Sequence, residues 1–349
     1  MTYEGVVVLD EEYDLKFGAR KQKDLFADFS QSGLTALQYL RALNASLAED
    51  IEEACDKVSF PKKEPEILYE GDGAFRYTEG KAGRAASADE VAALFIENNG
   101  VLRAELPVRA VPTVFTESDL TEHTKKMSSF STDYSSSSPE RKHNVALAVK
   151  KLDNRIIEAG EELSFNQAVG KRTKENGFEE AGVILNGRFT RGVGGGVCQV
   201  STTLYNAWNL SGLDATGKNH SLTVSYVPAG LDAMVSETSD LVLINNGEFP
   251  VFLDADCDGN KVTFTLYGTP AEECRLWSEK IKTIPCDEYE ITEGEEEKIL
   301  SYPKDGCVYR SYRDRYKNGV RISREELRTS FYNKVKGVKI SPKKKLFAE

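Results

Sequence analysis

The 349-residue chain carries 45 Lys and Arg against 56 Asp and Glu, a formal net charge of −11, with 40% hydrophobic and 29% charged residues. That length exceeds what one small core fills, so two or three domains are expected. The acidic balance excludes a general polyanion binder, because phosphate neutralisation needs clustered Lys and Arg. No run approaches the roughly 18–20 apolar residues that span a bilayer.

No basic-then-apolar leader opens the chain. Read literally, it is soluble and cytosolic. Met1 to Glu4, however, leads straight into the strand-like run Val6-Val7-Val8-Leu9, as a segment does when an anchor precedes it in a longer protein. Leu34, Leu37, Leu40, Leu43 and Leu47 recur at spacings of three and four and predict one helix face. Pro61 and Pro65 break the chain before two strands, at Ile67–Tyr69 and Ala74–Tyr77. Ser87 then caps a helix, with Glu90 as its capping-box partner, and Leu102–Val108 alternates as a strand.

The Ser-rich run from Ser128 to Pro139 reads by composition as a linker. Val145, Ala148, Val149, Leu152 and Ile156 predict an amphipathic helix over Arg141–Ile156. Asp254, Asp256 and Asp258 before Gly259 superficially resemble a calcium loop. Thr265 stands where the roughly 12-residue loop places its Glu, so a hairpin turn is expected instead. Beyond Gly268 the chain is acidic, and alternating runs such as Gly306–Tyr312 predict hairpins. Lys343, Lys344 and Lys345 read as a solvated end.

Six cysteines are present, with no C-x-x-C or Cys/His cluster of zinc spacing, so no structural metal and no cofactor are expected. Cys274, Cys286 and Cys307 fall near one another in the C-terminal part, either as one disulfide or as separate thiols.

The densest chemical signal is Gly192-Val193-Gly194-Gly195-Gly196-Val197-Cys198-Gln199, running into a helix whose Val200, Leu204 and Ala207 share a face. Cys198 then falls in the first helical turn. There the unpaired N–H groups and the positive end of the dipole favour a thiolate. Gly194, Gly195 and Gly196 allow close approach of a substrate to the backbone. Only three histidines exist. Of these, His220 opens the alternating run to Tyr226, and Asp232 follows the Pro228-Ala229-Gly230 turn. Helix-borne Cys, His on the next strand and Asp on the one after is the chain order of transglutaminase-like cysteine enzymes, an analogy of order alone. Cys198, His220 and Asp232 are therefore candidate catalytic residues, and Gln199 and Tyr226 candidate substrate or oxyanion contacts. The bland reading stands beside this: a cysteine packed among turn glycines, and a histidine with a satisfied hydrogen bond.

The stretch from Phe130 to Gly268 resembles the VanW family, a group associated with vancomycin resistance. The resemblance rests on Arg141–Ala148, Gly160–Asn166, the block Gly194–Ala207, His220-Ser221, Tyr226-Val227-Pro228, Gly230, Asp232-Ala233 and Asn245-Asn246. The chain departs from the usual pattern at Ala159-Gly160 and at Ala215–Asn219. The resemblance draws the Ser-rich run into the domain and implies an extracytoplasmic setting, at the cell surface or on an anchor.

Residues about 44–120 are similar to peptidoglycan-binding domains, and the C-terminal part to G5-type surface modules. The expected organisation is α+β and multidomain. Residues 1–125 form an α+β domain, residues 128–270 a VanW domain of helices on an antiparallel sheet, and residues 275–340 a small β-rich domain. The expected partner is cell-wall peptidoglycan or its peptide, with no nucleic acid. Two roles remain: a non-catalytic wall-binding accessory, or a thiol enzyme acting on an amide of the peptidoglycan stem.

Overall fold

Hydrophobic spacing and caps divide the chain into two compact units, one of Met1–Leu68 with Tyr77–Leu120, the other of Tyr69–Arg76 with Thr121–Glu349. The computed structural model describes residues 2–4, 6–7, 25–98, 105–185, 188–294 and 296–342. The strand expected at Val8 and Leu9, the Leu102–Ala104 part of another, and the tail lysines Lys343, Lys344 and Lys345 lie outside the described residues.

In the first unit, β1 (Thr2–Tyr3) and β2 (Val6–Val7) pair antiparallel. They precede α1 (Leu25–Ser30), α2 (Ala36–Leu43) and α3 (Ala45–Val58). The single leucine-faced helix expected here is two helices. Asn44 is extended at φ −154° and ψ 107°, and its side chain accepts from the Leu47 amide, so it ends α2 and caps α3. β3 (Ile67–Gly71) and β4 (Ala74–Tyr77) form a hairpin whose tip counts with the second unit. Next come β5 (Gly83–Ala86) and α4 (Ala88–Glu97), the latter capped by Ser87 as expected. β6 (Val108–Val111) starts only after Pro107, which has no N–H to give a ladder. α5 (Glu117–Glu122) follows, and Leu40, Leu47, Ile51, Val91 and Ile96 fill the core.

The second unit opens with β7 (Lys125–Asp133), so the first half of the Ser-rich run is a strand rather than a linker. Ser129 and Ser131 pair across the sheet with Thr265 and Thr263 hydroxyls at 3.0 and 2.8 Å. Ser138 then caps α6 (Pro139–Leu152). That helix stops before Ile156, because Asn154 turns left-handed at φ 56° and Ile156 passes into β8 (Arg155–Ile157). β9 (Glu162–Ser164), α7 (Phe165–Val169), and the hairpin β10 (Glu180–Leu185) and β11 (Arg188–Val193) lead into α8 (Val197–Leu210). β12 (Asp214–Thr216) and β13 (Val242–Ile244) join β9 in a three-stranded sheet. β14 (Val251–Cys257) and β15 (Lys261–Gly268) complete a four-stranded antiparallel sheet ordered β7-β15-β14-β8. Asp258 forms the turn between them, accepting from the Asn260 and Lys261 amides at 2.8 and 2.7 Å.

α8 was expected to show one apolar face, yet Val197 and Gln199–Asn209 are all buried. Its polar side chains are held inside: the Ser201 hydroxyl donates to the Ala233 carbonyl at 2.7 Å, Thr203 meets Thr132 at 2.7 Å, and the Asn206 amide donates to Leu231 at 2.8 Å. Side chains of α8 that read as polar in sequence are thus buried and hydrogen-bonded.

The remaining strands are β16 (Glu273–Ile284), β17 (Tyr289–Gly294), β18 (Lys298–Ser301), β19 (Gly306–Lys317), β20 (Val320–Tyr332) and β21 (Gly337–Pro342). They make two three-stranded sheets, β16-β19-β20 and β17-β21-β18. Asn318 and Gly319, both at positive φ, turn the β19–β20 hairpin. The whole is α+β with several antiparallel sheets, as the sequence pattern predicts. All six cysteines are free thiols. Among the described residues no helix is long and apolar enough to cross a membrane.

Candidate functional site

Three glycines set the position of Cys198. Gly196, left-handed at φ 108°, ends the loop as the α8 N-cap and offers no side chain to the helical amides. A Cβ on Gly195 would lie 2.6 Å from the Gly182 carbonyl oxygen, and one on Gly194 would lie 2.8 Å from the Arg172 Cβ. Asn144, fully buried on α6, ties the loop down by donating to the Gly195 carbonyl at 3.0 Å and to that of Glu179 at 2.9 Å. The Cys198 amide makes no hydrogen bond with the described residues.

His220 and Asp232 reach the thiol from a different kind of backbone than expected. The Asn219–Tyr226 and Asp232–Val235 segments are irregular rather than strands, joined by a single bridge between Lys218 and Met234. Pro228 and Gly230 turn this loop tightly. Several of its polar groups bond to side chains or to the residue after β20 instead of a ladder: the His220 amide to Asp232 Oδ2 at 2.7 Å, the Gly230 amide to the Tyr332 hydroxyl at 2.6 Å, and the Ser221 carbonyl to the Asn333 amide at 2.8 Å. The transglutaminase-like strand order is therefore not reproduced.

The side chains nevertheless converge. His220 Nδ1 lies 2.7 Å from Asp232 Oδ2, with Asp232 fully buried and His220 5% exposed. The imidazole also interacts electrostatically with the Cys198 thiol. As a thiol, Cys198 donates to the Val235 carbonyl at 3.2 Å; the residue is half-buried and lines a cleft of about 870 Å³. Burial pushes the thiol up, but the His220 bond and charge outweigh it, with Arg172 assisting, and hold Cys198 below its ordinary value. Burial would likewise pull His220 down, yet its bonds to Asp232 and Cys198 prevail and lift the imidazole to about 9. Burial raises Asp232, and the His220 and Tyr332 bonds overcome that to keep it below the usual carboxylate range. The three shifts run in the directions that favour a thiolate, an imidazolium and a carboxylate.

Gln199 and Tyr226 are placed differently from one another. The buried Gln199 amide donates to the Thr132 hydroxyl at 3.0 Å and the Asp133 carbonyl at 2.8 Å, and accepts from Arg141 Nη2 at 2.7 Å. Its hydrogen-bonding capacity is thus directed into the protein. The Tyr226 hydroxyl lies at the cleft and reaches the Cys198 carbonyl at 3.4 Å.

Sequence reasoning missed the groups that hold Asp232. The Tyr332 hydroxyl, at the end of β20, donates to Asp232 Oδ1. Arg328, also on β20, donates to the Asp232 carbonyl, and its Nη2 lies 3.9 Å from Oδ1. Both stand about 100 positions from Asp232, and no local pattern marks them. Among the described residues no group of three or more His, Cys, Asp or Glu could hold a metal ion.

Residues 140–267 match the family described as VanW like protein. The chain is 36% identical over 187 residues to Uncharacterized protein YoaR of Bacillus subtilis (strain 168), a match covering 52% of this chain and 61% of that protein. It is also 36% identical over 62 residues to Vancomycin B-type resistance protein VanW of Enterococcus faecalis (strain ATCC 700802 / V583), covering 18% of this chain and 22% of that protein. The chain thus spans less than two thirds of the length of either relative. No solved structure matches it. Cys198, His220 and Asp232 all fall within the matched residues 140–267, while Arg328 and Tyr332 approach them from outside that stretch.

Proposed function

We propose that the chain is a cysteine-dependent acyl-transfer enzyme of the bacterial cell envelope, an amide hydrolase or transferase acting on peptidoglycan stem peptides. One observation carries the reaction class: a helix-borne cysteine and a histidine line the same cleft and interact electrostatically, and a buried carboxylate holds the imidazole at Nδ1. That is the nucleophile, base and orienter arrangement of covalent catalysis. The envelope setting rests on the name of the Enterococcus faecalis relative, and on the resemblance of the first unit and the C-terminal sheets to wall-binding modules.

In the proposed reaction the Cys198 thiolate attacks the substrate carbonyl carbon, forming a C–S bond while the carbonyl electrons move to oxygen. The unengaged Cys198 amide at the head of α8 is the donor available to that oxyanion. As the C–N bond breaks, the His220 imidazolium gives its proton to the departing amine. Neutral His220 then takes a proton from water or an acceptor amine, which attacks the thioester and frees the sulfur. Asp232 keeps Nδ1 protonated throughout.

Intact-protein mass spectrometry with synthetic stem peptides tests this reading. The expected result is an acyl adduct on Cys198 that is absent in Cys198→Ala and, in the wild type, turns over to product. Absence of both adduct and product with amide and ester forms of these peptides rejects the acyl-transfer reading and leaves binding as the role.

A further inference from the structure

Resting on that reading, we infer that the cleft selects a substrate carrying a free carboxylate beside the scissile amide, with Arg141 and Arg172 as its receptors. The cleft is lined by Arg141, Lys171, Arg172 and Arg191 but by one carboxylate, Glu237, in a chain whose net charge is −11. Arg141 and Arg172 are only partly exposed. Their recorded hydrogen bonds go to neutral groups: Arg141 to the Ser137 hydroxyl at 2.6 Å and to Gln199 at 2.7 Å, Arg172 to Asn166 Oδ1 at 2.6 Å. Among the described residues neither guanidinium has a carboxylate within ion-pair distance.

A guanidinium withdrawn from water without a counter-ion is costly, and each retains N–H donors beyond those in use. Cys198 acts on both electrostatically, and Asp240 and Glu237 act on Arg172 from beyond ion-pair distance. Both guanidinium groups thus line the cleft with Cys198 without an ion-paired carboxylate among the described residues. Gln199 and Asn166 aim them, which explains why a buried glutamine next to the cysteine spends its carbonyl on Arg141. A planar carboxylate is the group that two-donor guanidinium geometry matches.

The test compares two alkylating agents at Cys198, anionic iodoacetate and neutral iodoacetamide, each scaled to its rate with N-acetylcysteine amide. The expected iodoacetate preference is about tenfold, the lower end of electrostatic focusing. It should vanish in Arg172→Gln and Arg141→Gln and persist in Arg172→Lys, with melting curves confirming that each variant folds. A wild-type ratio equal to that of the free thiol, or one indifferent to either arginine, overturns the inference.

The second arm does not need the sulfur. Cys198→Ala is titrated calorimetrically with N-acetyl-dialanine and with its C-terminal amide. Stronger binding of the acid supports the inference; equal binding, or none of either, rejects it. Slow reaction of Cys198 with iodoacetamide itself would instead reject the nucleophile while leaving this second arm decisive.

Discussion

At the scale of residues, the account turns on where one proton resides. In the folded protein His220 holds it, at about 9, while Cys198 lies below its ordinary value. In the unfolded chain the ordinary values are 6.5 for the imidazole and 9.0 for the thiol, so between them the proton sits on sulfur instead. Across that window the raised histidine loses stability as pH climbs from 6.5 to about 9, and the lowered thiol gains it, so the two effects oppose each other. The pair is thus detected by direct titration rather than by melting. NMR of the His220 ring should show protonation persisting to about 9 in the wild type. In Asp232→Asn the midpoint should fall, because burial remains and the largest group raising it is gone. An unchanged midpoint in that variant would show that Asp232 does not hold the charge.

At the scale of elements, the glycine loop and α8 were legible and the His220–Asp232 loop was not. Gly194, Gly195 and Gly196 directly before an apolar helical pattern can place Cys198 only at a helix start, whatever the fold around it. Asn219–Tyr226 alternates like a strand, yet Pro228 and the left-handed Gly230 bend the segment so that side chains of Asp232 and Tyr332 take its amides. Alternation reports a half-buried backbone; it does not say what accepts the hydrogen bonds. Similarly, Asn44 and Asn154 each cut a helix that periodicity alone would continue, because capping and left-handed turning are decided by one residue. The loop geometry makes Gly195 intolerant of a side chain. Gly195→Ala drives a methyl group against the Gly182 carbonyl, and overpacking of this kind costs about 1–3 kcal/mol. A fall in the denaturation midpoint with reduced Cys198 reactivity is expected. A variant as stable and as reactive as the wild type would show that the close approach does not matter.

At the scale of the whole molecule, the resemblance located the domain that carries the three residues but stopped short of what steadies them. Arg328 and Tyr332 belong to the C-terminal sheets, which sequence alone assigned to a separate surface module. Long-range pairing of this sort leaves no local trace. Tyr332→Phe removes a hydrogen bond to a buried carboxylate and should cost about 1.5–3 kcal/mol in stability, along with part of the His220 shift. Unaltered stability and an unaltered His220 titration would leave the C-terminal sheets no part in the site.

The six thiols of the chain provide an internal comparison for the central claim. Burial raises Cys55 to about 11 and pushes Cys257, Cys274 and Cys307 up, whereas Cys198 is lowered. The decisive measurement is iodoacetamide labelling between about pH 5 and 8, with every cysteine followed by peptide mapping. The account predicts that Cys198 labels ahead of the raised thiols Cys55, Cys257, Cys274 and Cys307, and that His220→Ala abolishes its lead. If Cys198 labels with the rest, or keeps its lead without His220, the thiolate–imidazolium pair does not exist.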